Sequence, residues 1–326
     1  TDALPSAGDN VVIELNAGDT VSLSGLTTPA LNDIQTDSVN IGSAGNLNVA
    51  GNFYSFDLTQ STGSTLSGTG TLHNGTNVLI ESATAVTSIN EVRNFGQFIF
   101  QPLADVGTVS YTNNSTTFLN FGVVEAKVAP SSSINNLSFA GSSGLLNSGF
   151  FGQSEVNNLS IFGGVINNLS GEIFSENGSV ITLEGVNSNQ GSFFVGTGAS
   201  LTIGSTGVLN LTGSNNFFGG GSVNISSGGI LDVQAPSTFE PTLALNLNGG
   251  TINNVQNLSI PDTFNITGGT LNGPGTFKAP LLTNAIIHIN GDTVARTLTV
   301  NNLIMEFGGA DVIWNDGVSA SSSIVL

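Results

Sequence analysis

Acidic side chains are the most abundant groups in this sequence that are able to do chemistry. The chain of 326 residues contains 22 Asp and Glu, and a glycosidase needs two carboxylates about 5–10 Å apart across a cleft. Nothing selects such a pair, because there is no Asp-Asp dipeptide and neither His73 nor His288 precedes a glycine. A lyase acting on uronates needs a basic residue in addition, and only four Lys and Arg are present. We therefore assign no catalytic residue.

Metal ligation has equally little support. His73 and His288 are the only histidines and there is no Cys, so neither His has the partners of a zinc site. The expected set of cofactors and bound metals is therefore empty, with Ca²⁺ as the one ion that oxygen-rich turns could hold. Asp at a turn more often hydrogen-bonds the backbone, and no EF-hand loop is present. The candidate turns are Gly8-Asp9-Asn10, Gly18-Asp19, Glu176-Asn177-Gly178 and Asp311 to Asp316.

The charge balance excludes two classes of partner. The formal net charge is −18, and the four basic residues are scattered along the chain. Nucleic acid and anionic membrane surfaces both require a basic footprint, so we expect neither as a partner. No apolar run approaches about 18 residues, so we expect no membrane insertion. The basic residues are Arg93, Lys127, Lys278 and Arg296.

Short apolar beats with a period of two residues indicate β-strands throughout the chain. Residues 198–233 show them best, with first residues separated by 8, 8, 6 and 8 positions and glycines between them. This spacing fits either an antiparallel meander or sandwich, or a solenoid with three strands per turn. The beats begin at Leu201, Leu209, Phe217, Val223 and Leu231.

A longer period favours the solenoid. An Asn-x-Gly phrase or a close variant recurs with Asn-to-Asn steps of 26, 27, 21 and 21 residues, and the phrase Asn-Asn-Leu-Ser recurs after 22. Three beats of seven or eight residues give the same length, and self-similarity of this kind is typical of repeat architectures. The Asn-x-Gly phrases begin at Asn94, Asn120, Asn147, Asn168 and Asn189.

We therefore predict an all-β parallel β-helix (β-solenoid), three-sided, with about 22 residues per coil. Residues 1–326 are expected to form a single β-solenoid, with 1–40 as a possible N-terminal capping coil and 234–241 as a loop or insertion. Leu, Ile, Val and Phe should fill the interior, while Asn side chains at equivalent corners should form amide ladders. The apolar end at Ile324-Val325-Leu326 leads us to expect that the natural chain continues or meets a partner.

Two segments carry a resemblance to a known class of protein. Residues 264–277 read FNITGGTLNGPGTF and residues 62–72 read TGSTLSGTGTL. Both resemble repeats of large bacterial β-helical cell-surface proteins. These are adhesin-like exoproteins whose repeats are of the autotransporter or haemagglutinin type. The resemblance implies an extracellular or cell-surface location and a role as a stalk or adhesive rod.

The function we expect is a non-catalytic structural or adhesive segment of a secreted bacterial surface protein, with assembly into rods or filaments as one form of this role. The expected partners are other copies of the chain or neighbouring repeats of a longer chain, and the further candidates are a glycan and a host or cell-surface protein. The alternative is a carbohydrate-active β-helix enzyme, either a polysaccharide lyase or hydrolase or a tailspike-like protein.

Overall fold

The structure is a computed structural model. It describes residues 20–23, 34–42, 45–61, 63–80, 84–101, 108–127, 134–139, 144–153, 158–162, 164–278, 286–290, 297–301, 304–306, 311–315 and 323–325. The chain divides into two compact units, Thr1–Val165 and Ile166–Leu326. Among the described residues there is no helix, and hence none that could cross a membrane.

The first unit contains short strands separated by tight corners. They are β1 (Thr20–Leu23), β2 (Ile34–Ile41), β3 (Asn46–Asn48), β4 (Asn52–Gln60), β5 (Thr65–Ser67), β6 (Thr71–Ile80), β7 (Thr84–Ser88), β8 (Glu91–Asn94), β9 (Gln97–Phe100), β10 (Thr108–Asn113), β11 (Thr117–Asn120), β12 (Val123–Ala126), β13 (Ile134–Phe139), β14 (Leu145–Asn147), β15 (Phe150–Gln153) and β16 (Asn158–Phe162).

The division between the units falls inside β17 (Val165–Asn167), and the second unit continues with strands of the same kind. They are β18 (Glu172–Ser175), β19 (Val180–Glu184), β20 (Val186–Asn189), β21 (Ser192–Val195), β22 (Ser200–Ile203), β23 (Val208–Leu211), β24 (Asn215–Gly219), β25 (Ser222–Ser226), β26 (Ile230–Val233), β27 (Ser237–Phe239), β28 (Ala244–Asn254), β29 (Asn257–Ser259), β30 (Thr263–Asn272), β31 (Thr276–Lys278), β32 (Ile286–Asn290), β33 (Thr297–Asn301), β34 (Ile304–Glu306), β35 (Asp311–Asn315) and β36 (Ser323–Val325).

The strands of each unit pair in parallel with strands one turn away. In the first unit, β8 pairs with β11 and β11 with β14, while β9 pairs with β12 and β12 with β15. A third column runs from β7 through β10 and β13 to β16. Three parallel columns define three sides, because each turn contributes one strand to each column.

The second unit repeats this arrangement. Its columns include β18–β21–β24, β19–β22–β25 and β20–β23–β26. The 11-residue strand β28 pairs with both β25 and β26, so it supplies two sides of one turn. The turns are about 21 residues long. The predicted three-sided parallel β-solenoid is therefore confirmed, whereas its single-domain organisation and its capping coil stay predictions.

Side chains that alternate in and out of each strand build the core. In β19, Ile181 and Leu183 are buried while their neighbours are partly exposed. Aromatic rings stack in register inside the second unit, with centroid distances of 4.6 Å from Phe193 to Phe217 and 4.2 Å from Phe217 to Phe239. Stacking follows from the register, which places equivalent residues about 4.8 Å apart.

The prediction of a loop or insertion over 234–241 is wrong in its central part. The structure places β27 there, paired in register with β24. Ser237 and Phe239 are buried and extend the column that contains Asn215 and Phe217 by one turn. Two prolines at positions 236 and 241 obscured this strand in the sequence because proline lacks the N–H of a ladder, yet both lie outside the paired residues.

The alternation predicts opposite outcomes for adjacent phenylalanines in β24. We expect Phe217→Ala to lower the free energy of unfolding by about 3–5 kcal/mol, because it leaves a cavity between two stacked rings. The matched control is Phe218→Ala, whose side chain is partly exposed and should cost less than half as much. Urea denaturation followed by circular dichroism measures both, and equal losses would contradict the inward-outward assignment.

Candidate functional site

A ladder of buried asparagine amides lines one inner corner of the first unit. Asn74 Nδ2 donates to Oδ1 of Asn94 at 2.6 Å, Asn94 to Asn120 at 2.7 Å, and Asn120 to Asn147 at 2.6 Å. Each of the first three amides also donates to a backbone carbonyl one turn along, at 2.8–3.0 Å. All four side chains are fully buried. The ladder thus satisfies polar groups that would otherwise be costly inside the solenoid, except for Oδ1 of Asn74, which accepts no bond at the first rung.

The second unit contains a ladder of its own. Asn167 donates to Oδ1 of Asn189 at 2.6 Å, Asn189 donates to Oδ1 of Asn215 at 2.6 Å, and Asn215 donates to Oγ of Ser237 at 3.0 Å. Backbone carbonyls of the same corners accept further bonds, such as that from Asn189 Nδ2 to Gly191 O at 3.0 Å. These side chains are buried as well. Their role is to hold corners together rather than to meet a ligand.

The sequence located most of these asparagines, with one error of register. Asn94, Asn120, Asn147 and Asn189 take the inner position, which confirms the predicted amide ladder. At the fourth phrase the buried residue is Asn167 and not Asn168, because this corner makes an additional turn closed by the bond from Gly171 N to Asn168 O. Sequence reasoning missed Asn74, Asn215 and Ser237, since none of them is followed two residues later by the glycine of the phrase.

The glycines of the Asn-x-Gly corners are required by close packing between turns. A Cβ placed on Gly122 would lie 2.1 Å from the carbonyl oxygen of Gly96, and one on Gly149 would lie 2.1 Å from that of Gly122. Backbone atoms cannot move away as a flexible side chain does. The corner therefore turns its asparagine inward and its second residue outward.

Two of those outward residues are aromatic and form an exposed stack. The rings of Phe95 and Phe121 lie 5.2 Å apart with an angle of 11° between their planes, and their side chains are 57% and 50% exposed. The two adjacent exposed rings form an apolar patch, which we take as a candidate interaction surface. We call this surface, with the residues that flank it on β4, β6, β8 and β9, the aromatic corner.

A second aromatic pair lies on the outer face of the strands that lead to the corner. The ring of Tyr54 stacks on His73 at 4.4 Å with an interplanar angle of 13°, and His73 is in register with Arg93. His73 Nε2 donates to Oδ1 of Asn52 at 3.2 Å. Arg93 pairs with Glu91 at 2.9 Å. This row places an aromatic ring, an imidazole and a guanidinium side by side on successive turns.

The electrostatics of this row favour a neutral imidazole. Partial burial lowers the pKa of His73 below its ordinary value, and the Arg93 guanidinium lowers it further, while Glu91 opposes both effects. A neutral imidazole both donates and accepts hydrogen bonds. His73, which the sequence left as a weak metal candidate, therefore belongs to a mixed aromatic and polar surface.

Within the described residues, no group of three or more His, Cys, Asp or Glu is placed to hold a metal ion. Of the calcium candidates, Glu176-Asn177-Gly178 forms a tight turn closed by the bond from Ser179 N to Glu176 O at 2.9 Å. Its positive φ values of 51° at Asn177 and 77° at Gly178 are those of a type I′ turn. The side chains of His288, Asp311 and the remaining candidates lie outside what the structure describes.

One carboxylate of the second unit has a perturbed environment. Partial burial raises the pKa of Glu172, the hydrogen bond from Ser192 lowers it, and the nearby Glu176 raises it. The Ser192 Oγ donates to Oε2 of Glu172 at 3.4 Å. An acid-base pair requires two carboxyl groups whose environments differ, and among the described residues Glu172 and Glu176 are the neighbouring acids that we take as the candidates for such a pair.

Comparisons with protein-family models, with curated proteins and with solved structures found no match to this chain.

Removing one member of the ladder tests its structural role. We expect Asn120→Ala to lower the free energy of unfolding by about 2–4 kcal/mol, because Asn94 loses an acceptor and Asn147 and Phe150 lose a donor inside the solenoid. The matched control, Asn77→Ala, removes an exposed side-chain hydrogen bond to Asp57 at 3.0 Å. It should change the free energy of unfolding by about 0.5 kcal/mol or less. Similar losses in the two variants, measured by urea denaturation, would contradict the role of the ladder.

The raised pKa of Glu172 predicts a pH-dependent gain in stability on neutralisation. The folded state holds the proton more tightly than the unfolded state, so the contribution of Glu172 to stability falls as the pH rises through the window above its ordinary pKa. Glu172→Gln should therefore unfold at a slightly higher urea concentration at pH 7. The gain in the free energy of unfolding should be less than about 1 kcal/mol, because the group is largely solvated. At pH 3 wild type and variant should unfold together. A variant that is less stable at pH 7 would contradict the direction of the shift.

Proposed function

We propose that this chain is a non-catalytic structural or adhesive segment of a secreted bacterial surface protein. The observation that carries the proposal is the contrast between the inside and the outside of the first unit. The buried amides and apolar side chains bond and pack between turns, while Phe95 and Phe121 are exposed on the outer surface. A scaffold that presents side chains outward suits adhesion, because binding then needs no change in the core.

The proposed location and assembly rest on the composition of the chain and on its resemblance to bacterial surface repeats. The chain has no Cys and a net charge of −18, which suits a soluble exported protein without disulfides. Residues 264–277, which resemble repeats of bacterial cell-surface proteins, form β30 and β31 of the second unit. We propose an extracellular or cell-surface location, with partners that include neighbouring repeats, other copies of the chain, a glycan or a host or cell-surface protein.

The rival is a carbohydrate-active enzyme, and the acids Glu172 and Glu176 are the observation in its favour. Partial burial, with a smaller contribution from the nearby Glu176, raises the pKa of Glu172, and a raised pKa is what the proton donor of a glycosidase needs. However, Glu172 lies on the outer face of β18, and Glu176 begins the type I′ turn that follows. We place the enzyme second for this reason.

Incubation with a panel of polysaccharides separates the two functions. If the chain is a scaffold, no polymer should show an increase in reducing ends or a loss of viscosity. Electron micrographs of the protein should show rods or filaments. Depolymerisation that disappears in the Glu172→Gln variant would overturn the proposal in favour of the enzyme. The wild-type protein and this variant are the matched pair, since the substitution preserves the size of the side chain.

A further inference from the structure

We infer that the aromatic corner of the first unit binds an uncharged glycan, with a sugar ring packed against the open face of Phe95. This inference rests on the proposed function, and it names the partner and the place where adhesion occurs. The ring stack, the space beside it, the polar rim and the local charge each support it.

The register of the turns places no other aromatic residue directly next to the phenylalanine stack at either end, and among the described side chains no further ring stacks on Phe95 or Phe121. Asn74 pairs with Asn94, and Asn94 with Asn120, so the residue beside Phe95 on the preceding turn is Gly75. On the far side of Phe121 the equivalent residue is Ser148, since Asn120 pairs with Asn147. The rings stack at about the spacing of the turns, so their planes face along the column.

The position of Gly75 is open to the outside as far as the described residues show. A Cβ built on Gly75 would meet no atom within 4 Å, in contrast to Gly96 and Gly122 at the next position of the corner, where a Cβ would lie 2.2 and 2.1 Å from a carbonyl oxygen. The face of Phe95 and the backbone of Gly75 therefore form an open shelf. Polarised C–H groups on the face of a sugar ring pack well on the electron-rich face of an aromatic ring.

Polar side chains flank the shelf on both sides. His73 and Arg93 lie two residues before the corner position, while Asn77 and Gln97 lie two residues after it, and Asn77 and Gln97 are exposed. Asn77 donates to Oδ1 of Asp57 at 3.0 Å, which leaves amide and carboxylate oxygens able to accept bonds from hydroxyl groups. These groups surround the aromatic platform with hydrogen-bonding partners for the hydroxyl groups of a ligand.

The size and charge of the corner decide between occupants. It spans three turn spacings by four residues, which is roughly 200 Å² by strand geometry, whereas a stable protein interface needs about 800 Å² on each side. A few sugar rings fit the smaller area. The chain carries a charge of −18, and the corner adds Asp57 and Glu91 against Arg93, so a polyanionic glycan would be repelled.

Electrophoresis of the full chain through gels that contain one polysaccharide each tests this inference. The probes are β-glucan, xyloglucan, galactomannan and arabinoxylan as neutral polymers, with polygalacturonate as the anionic one. We expect at least one neutral polymer to retard the wild-type chain. Phe95→Ser should weaken that retardation at least tenfold, because the platform is removed.

Gly75→Leu is the more specific variant, because it fills the shelf while both phenylalanines stay in the sequence. Gly75 does not have a positive φ and a Cβ there meets no neighbour, so this variant should fold, as its circular dichroism will show, and lose at least tenfold in retardation. The control is Phe162→Ser, which removes an equally exposed phenylalanine from β16 and should bind as the wild type does.

Three results would overturn the inference: no retardation by any neutral polymer, wild-type binding by Gly75→Leu, or stronger retardation by polygalacturonate. Each of these leaves the scaffold proposal standing. Shortening of a polymer during the same experiments would instead defeat the proposed function, and the inference with it.

Discussion

The register between successive turns is the constraint on which the rest of this structure depends. Parallel pairing places each residue about 4.8 Å from its equivalent one turn away, so every feature of one turn is copied onto the next. Buried phenylalanines become ring stacks, as in Phe193, Phe217 and Phe239, and corner asparagines become amide ladders. A side chain that does not fit its equivalents disturbs two neighbours at once.

The corners show how this constraint limits the choice of residue. The inward position needs a side chain that both donates and accepts, because one bond must come from the preceding turn and another must go to the next. Asparagine meets this requirement with a single short amide. The glycine that follows is dictated by carbonyl oxygens of the adjacent turn, as the 2.1 Å approach at Gly122 shows. Only the residue between them is free to vary, and Phe95, Phe121 and Ser148 occupy that place.

This freedom explains why exposed aromatic rings gather at a corner. The same register that stacks Phe95 on Phe121 stacks Tyr54 on His73, so aromatic groups from different turns are gathered on one outer surface of the first unit. None of these residues contributes to the inner ladder. Function is thereby separated from stability, since the outward residues can change while the inward ones hold the turns together.

The sequence by itself determined the architecture, because period and turn chemistry are local properties of the chain. The beats of Leu201, Leu209 and Phe217 and the recurrence of Asn94, Asn120 and Asn147 were enough to predict a three-sided parallel solenoid and its amide ladders. The tertiary structure decided what depends on which turn lies beside which. It replaced Asn168 by Asn167 at the buried corner, turned 237–239 into a strand, and set Phe95 beside Gly75 across a gap of about 20 residues. Corner lengths vary along the chain, and only the pairing of the backbone shows where each extra residue is absorbed.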